Sequence, residues 1–209
     1  YVDQSWLAKL DLRLRDPFSH KLKRLTDLVF AFLGIVFSLP ILLPALVAIA
    51  INSGFPLFFT QRRTGFMGRE YTLFKLRTME RNAEEKGAEW AKEKDKRVTG
   101  CGKFLRKWRI DEIPQFLNVI RGEMSIVGPR PERPEFQEEL IKQVPHWNCR
   151  HLVKPGLTGW AQIRYRYAAD SDESEEKLAY DLYYIKHASI LMDLQVILST
   201  LRSVARGSR

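Results

Sequence analysis

"LVFAFLGIVFSLPILLPALVAIAI", residues 28–51, contains no charged side chain, and its reading decides the fold. By length it could cross a bilayer as one helix, which needs about 20 apolar residues. Pro40 falls near its middle and Pro44 one turn later. Inside a helix these prolines deprive the carbonyls of Val36 and Pro40 of their usual backbone donors. The part before Pro40 is about 12 residues, roughly 18 Å of helix against a hydrocarbon core of about 30 Å.

The flanks bear on the same choice. Lys21, Lys23 and Arg24 precede the stretch, and Arg62, Arg63 and Arg69 follow it. Basic residues favour the cytoplasmic side, so positive charge at both ends suits a segment that enters and returns on one face. The pattern alone leaves two readings open, a kinked span and a re-entrant helix. A buried core helix fits less well, since such helices seldom run this long without a polar face. Either open reading attaches the chain to a membrane.

The remaining composition is that of a basic protein large enough for one domain with a core. Its 209 residues include 34 Lys+Arg and 25 Asp+Glu, a net charge of +9. That balance suits an anionic partner such as nucleic acid, anionic lipid or a phosphorylated substrate. Two cysteines, Cys101 and Cys149, are too few for a disulfide framework and read as reduced thiols on the cytoplasmic side. No secretory signal opens the chain, and a first residue of Tyr1 predicts a fragment of something longer.

Outward from the apolar stretch, "YTLFKLRTM" (71–79) reads as a strand with Lys75 and Arg77 on one face. Residues 80–97 carry charges of both signs and predict an exposed helix or excursion. A helix is expected from near Asp111 to Gly122, with an apolar stripe of Phe116, Leu117, Val119 and Ile120. "VGPRPERPEF" (127–136) predicts a rigid turn holding Arg130, and "KPGLTGW" (154–160) another turn. "ADSDESEE" (169–176) reads as an acidic loop or helix start, and residues 188–206 as an amphipathic helix for the core or a membrane surface.

The chemistry centres on "RIDEIPQ" (109–115), where Asp111 and Glu112 lie between isoleucines ahead of Pro114. With Asp111 as N-cap or in the first turn, free backbone N–H groups and the helix dipole would keep it ionised and aim it. An ordinary acidic cap explains the pair taken alone. Two adjacent carboxylates can also bind a divalent cation that takes phosphate oxygens as further ligands. One of them could act as a nucleophile on phosphorus. Lys75, Arg77, Arg106, Arg109 and Arg130 offer donors suited to a diphosphate, and the prolines around Arg130 lower the cost of ordering it. "HWNCRH" (146–151) lacks a second ligand pair at zinc-like spacing, and there is no Walker loop or dinucleotide fingerprint. The basic aromatic run "IRYRY" (163–167) comes without a nucleic-acid module, so no nucleic-acid partner is expected.

Together these motifs resemble the bacterial sugar transferase family, the monotopic polyprenyl-phosphate phosphoglycosyl transferases. The resemblance runs from about Lys23 to Arg202. It rests on "KRLTD", "FFTQRRTG", "FKLRTM", "RIDEIPQFLNVIRGEMSIVGPRP", "KPGLTGWAQ" and "YDLYYIKHASILMDL". "GPRPERPEF" and "WAQIRYRY" are most similar to the exopolysaccharide-initiating branch, whose members often carry further N-terminal domains.

The resemblance implies transfer of a sugar 1-phosphate from a UDP-sugar to undecaprenyl phosphate, with Mg2+, on the cytoplasmic face of the bacterial inner membrane. In that family the aspartate of the dyad attacks the β-phosphate, UMP leaves, and the polyprenyl phosphate then attacks the phosphosugar-aspartate. Carried over, Asp111 is the nucleophile and Glu112 helps to hold Mg2+ with it. Lys75, Arg77, Arg106, Arg130 and Arg166 are candidates to hold phosphates, and Asp181 is a possible site acid. The implied fold is α/β, mostly helical with a small β element. It is monotopic, with a re-entrant helix broken at Pro40 and amphipathic surface helices.

The expected organisation is an interfacial lead-in (1–22), the re-entrant helix (23–59) and a catalytic domain (60–209). Membrane lipids are expected partners, and a homo-oligomer is allowed. Two departures stand out: Ser38 and Pro40 are separated by Leu39, where many relatives have Ser-Pro, and Tyr165-Arg166 stands where many have Gly-Arg. Alternative functions are a membrane lipid phosphatase or pyrophosphatase, and a non-catalytic module that binds anionic lipids.

Overall fold

A computed structural model describes residues 17–83, 95–164 and 173–207. The architecture is mostly helical with two small sheets, as the sequence predicts. Helix α1 (Pro17–Ser53) is followed by an antiparallel hairpin of β1 (Phe58–Thr64) and β2 (Glu70–Leu76). Next come α2 (Gly100–Lys107), a 3-10 segment (Ile110–Gln115) and α3 (Phe116–Arg121). Strand β3 (Ser125–Val127) pairs in parallel with β4 (Gly156–Thr158). Between them lie α4 (Pro134–Gln143) and a 3-10 segment (Trp147–Leu152). Helices α5 (Trp160–Arg164), α6 (Glu173–His187) and α7 (Ile190–Ala205) complete the described chain.

Helix α1 is long and apolar enough to cross a membrane, and helical geometry continues through Pro40 and Pro44. It buries a narrow stripe that includes Asp27, Ala31, Ser38, Ala45 and Ile49, packs Phe30, Leu42 and Leu46 partly against the core, and exposes many of its other apolar residues, with Phe37 at 75% and Ile51 at 82%. Exposure of this kind suits a hydrocarbon solvent rather than water.

Polar anchors fix α1 to the rest. Asp27 Oδ1 accepts from Lys23 Nζ, Ser125 Oγ and the Ile126 amide. Arg24 donates to the carbonyls of Val119 and Ile120, capping the end of α3. At the other end Arg77 donates to the carbonyls of Ser53 and Gly54, and Arg81 to that of Phe55. Lower on α1, Ala45 and Ile49 pack with Leu76 and Leu105, forming an apolar cluster beneath the hairpin.

The sequence places a helix start near Asp111; the structure instead has a 3-10 turn over 110–115 that passes into α3 only at Phe116. Arg109, in the left-handed region (φ 54), turns the chain into that segment. Gly122 (φ 83) ends α3, as predicted. "KPGLTGW" is more than a turn, since its Gly156–Thr158 core pairs with β3. The strands approach so closely that a Cβ on Gly156 would lie 2.1 Å from the Gly128 nitrogen.

Candidate active site

The 3-10 segment brings Asp111 and Glu112 into its first turn, and both are buried, at 3% and 7% exposure. The residue capping the segment is Arg109 rather than Asp111, and the Arg109 side chain makes no capping bond. Asn118, fully buried one turn into α3, locks this unit to the hairpin. Its amide accepts from the Phe74 nitrogen at 3.1 Å and donates to the Thr72 carbonyl at 2.7 Å. That register sets Lys75, on the next position of β2, beside the dyad.

Lys75 Nζ lies 3.2 Å from Glu112 Oε1, and Arg130 Nη2 lies 2.9 Å from the same oxygen. Burial alone would raise the Glu112 carboxyl, but Arg130 and Lys75 outweigh it and hold it well below the usual carboxylate range. Burial lowers the Lys75 ammonium, with Glu112 opposing. The Arg130 guanidinium is raised, chiefly by the Glu112 charge. Its side chain remains 44% exposed, so it joins the buried dyad to the surface. Asp111 contributes to the electrostatics of both Lys75 and Arg130, and Arg109 to that of Glu112.

Arg130 stands on a turn gripped through its carbonyls. Pro129 and Pro131 have no N–H to offer, so the turn is held by acceptance. The carbonyl of Pro129 accepts from the Gly156 amide and that of Glu132 from the Thr64 amide. Arg150 Nη2 donates to the Arg130 carbonyl at 3.0 Å, and Arg63 Nη1 to the Pro131 carbonyl at 3.0 Å. Arg150 is fixed in turn by Asp181, at 2.7 Å, and by stacking on Trp147 at 4.2 Å. Every carbonyl from Pro129 to Glu132 is thus engaged, by β4, by the 147–152 segment and twice by the end of β1.

Of the predicted phosphate-binding residues, Lys75 and Arg130 meet at the dyad. Arg77 does not: it lies just past the end of β2, buried, with its guanidinium on the terminal carbonyls of α1. The Arg77 amide still donates to the Leu57 carbonyl, one position past the end of β2, but its guanidinium is taken by the end of α1 rather than by the dyad. Arg106 donates through Nε to Thr78 Oγ1 at 2.8 Å. Arg166 lies outside the described residues, as do residues 1–16 of the lead-in, most of the charged 80–97 stretch and the first part of the acidic 169–176 stretch.

Asp181 is 2% exposed and is linked to the site through Arg150 and the Arg130 carbonyl. Burial pushes its carboxyl up to about 6, with Arg150 acting against the shift. Sequence reasoning passed over Arg63 and Arg150 as positioning residues. Arg150 sits in "HWNCRH", a stretch read only for metal ligands, although Trp147 three residues earlier offers it a stacking partner.

Residues 18–207 match the family model described as bacterial sugar transferase. A relative from Aeromonas hydrophila is named UDP-N-acetylgalactosamine-undecaprenyl-phosphate N-acetylgalactosaminephosphotransferase. It is 40% identical over 206 residues, covering 99% of this chain and 49% of that protein. One from Xanthomonas campestris pv. campestris, a UDP-glucose:undecaprenyl-phosphate glucose-1-phosphate transferase, is 38% identical over 191 residues, covering 89% of this chain and 39% of that protein. The chain therefore spans about half or less of the length of these two relatives. An uncharacterized sugar transferase, EpsL, from Bacillus subtilis (strain 168) is nearer in size. It is 38% identical over 183 residues, covering 88% of this chain and 87% of that protein.

Proposed function

The chain belongs to the bacterial sugar transferase family, and from that premise we propose that it moves a sugar 1-phosphate from a UDP-sugar to undecaprenyl phosphate. The observation that carries this reading is the buried Asp111-Glu112 pair, with Lys75 and Arg130 converging on Glu112. The names of the relatives supply the donor and acceptor classes. Initiation of exopolysaccharide or a related glycoconjugate is the role we assign to the transfer.

In the proposed first step a carboxylate oxygen of Asp111 attacks the sugar-bearing phosphorus of the donor. A P–O bond to Asp111 forms, the bond to the other phosphate breaks, and UMP leaves with the electron pair. In the second step a phosphate oxygen of undecaprenyl phosphate attacks the same phosphorus and Asp111 is released unchanged. A nucleophilic carboxylate divides transfer between a soluble and a lipid substrate into two displacements. Arg130, half-exposed at the mouth, suits the donor diphosphate, and Lys75 offsets charge deeper in. Glu112 keeps both cations oriented in the absence of substrate.

The family implies Mg2+. Two adjacent carboxylates fit it, since Mg2+ is commonly held by one or two carboxylates together with substrate phosphates. Asp111 and Glu112 would hold the ion, which when bound would neutralise phosphate charge.

The re-entrant reading of α1 is supported by its anchors. Arg24 is tied to Val119 and Ile120, and Ser53 to Arg77, while neighbouring Asn118 and Phe74 are bonded to each other. A straight helix would hold Arg24 and Ser53 about 44 Å apart. The intervening side chains and backbone could bridge that only if nearly fully extended. Ser38 Oγ donates to the Ile35 carbonyl just before Pro40, the kind of local adjustment that accompanies a bend. A helix that dips and returns keeps the dyad at the cytoplasmic interface of the inner membrane, where a polyprenyl phosphate presents its head group.

Asp111→Asn is expected to abolish UMP release from a UDP-sugar. Release at the wild-type rate by that variant would exclude Asp111 as nucleophile.

A further inference from the structure

Away from the dyad, at the far end of α3, two cations share one open spot. Gly122 ends the helix with positive φ and no side chain. A single atom placed where its Cβ would be lies 3.5 Å from Lys154 Nζ and 3.6 Å from Arg24 Nη2. No ligand atom can occupy that position itself, about 1.5 Å from the Gly122 Cα, but the two nitrogens lie within about 7 Å of each other across it, so separate oxygens of one phosphate could reach both.

Neither cation makes a close ion pair among the described residues, although the Asp27 carboxylate favours the Lys154 charge from a distance. Arg24 spends its donors on the neutral carbonyls of Val119 and Ile120, which hold it in place without cancelling its charge. Lys154 is half-buried and makes no hydrogen bond or ion pair among the described residues. The nearby acids are already engaged. Asp27 is held by Lys23, Ser125 and the Ile126 amide, Asp193 by Lys23 and Tyr184, and Glu123 by Asn118. Burial, then Arg24 and Lys23, disfavours the Lys154 ammonium, with Asp27 opposing.

The surroundings indicate which anion fits. One residue past Arg24, α1 exposes Leu25, then Val29 and Phe32, and beside Gly122 the helix α3 exposes Leu117 and Ile120. Cations at the level where apolar surface begins lie at head-group depth. The spot is also about 15–20 Å along the 3-10 segment and α3 from Asp111, too far to hold a phosphate under attack there.

We propose that Lys154 and Arg24, over Gly122, bind the phosphodiester of an anionic membrane phospholipid, with its acyl chains along Leu25, Ile120 and their apolar neighbours. This rests on the membrane reading of α1 and adds a lipid site separate from the transfer site.

The test is native mass spectrometry of the full chain released from nanodiscs of mixed phosphatidylglycerol and phosphatidylcholine. Wild-type protein is expected to retain phosphatidylglycerol in preference. Lys154→Gln is expected to reduce that preference about fivefold, the weight of one basic residue near an anionic surface, with UMP release unchanged. Equal retention by wild type and Lys154→Gln overturns the site. So does displacement of the retained lipid by millimolar inorganic phosphate, which would make it a free-phosphate site. A raised KM for undecaprenyl phosphate in Lys154→Gln would mean that the acceptor binds there, and overturns it too. Wild-type protein that fails to enter nanodiscs sinks the membrane reading as well, whereas inserted protein without lipid preference sinks only this inference.

Discussion

Lys75 and Arg77 look equivalent in the sequence, two cations two residues apart on an expected strand, yet the fold employs them differently. Lys75 is paired with Glu112 at the dyad, whereas Arg77 is buried against the carbonyls that end α1. Lys75→Met is therefore expected to impair turnover and raise the KM for the UDP-sugar with little change in the anchoring of α1. Arg77→Met should instead remove hydrogen bonds from a charged donor, costing about 1.5–3 kcal/mol of stability, and leave the donor KM near wild type. Thermal melting and steady-state kinetics on both variants check the contrast; a donor KM raised equally by Arg77→Met would contradict it. What no sequence pattern could reveal is that the end of α1 lies within reach of Arg77: its amide carries the hairpin pairing on to the Leu57 carbonyl, while its guanidinium is taken by the carbonyls of Ser53 and Gly54.

The turn over residues 129–132 is the element on which Arg130 depends, and its grip extends through Arg150 to Asp181. The Asp181 carboxyl is pushed up to about 6. Above that value it is charged and pairs with Arg150. Below it, the proton neutralises Asp181, Arg150 loses its partner, and the hold on the Arg130 carbonyl loosens. UMP formation in the first half-reaction, measured without acceptor so that the acceptor phosphate does not titrate, should fall as pH drops through about 6. Asp181→Asn, neutral throughout, should be slow at pH 7 and lack that limb. An unchanged acid limb in the variant would remove Asp181 from this role. The rigid turn and Arg130 itself were legible from the flanking prolines. The clamp was not, because Arg63 and Arg150 come from distant parts of the chain and hydrogen-bond to backbone carbonyls, which leave no mark in local sequence.

At the scale of the molecule, the family resemblance implied a mostly helical protein with a small β element, which the structure shows, and the apolar stretch 28–51 predicted membrane attachment, with which its long apolar helix is compatible. Less legible was how one long helix is tied to the domain at both ends, since those bonds join residues from 23 to 99 positions apart. The re-entrant reading predicts that His20→Cys and Arg62→Cys, each in a background lacking Cys101 and Cys149, label with a membrane-impermeant thiol reagent from the same side. Labelling from opposite sides would mean a true span. The central claim, that Asp111 becomes covalently bonded to the sugar phosphate, is tested most directly by intact-protein mass spectrometry of the full chain with UDP-sugar and no acceptor. The account predicts a mass increase equal to one sugar phosphate that maps to the peptide containing Asp111, disappears on adding undecaprenyl phosphate, and never forms in Asp111→Asn. Turnover with UMP release but no such adduct, or an adduct on another residue, would contradict it.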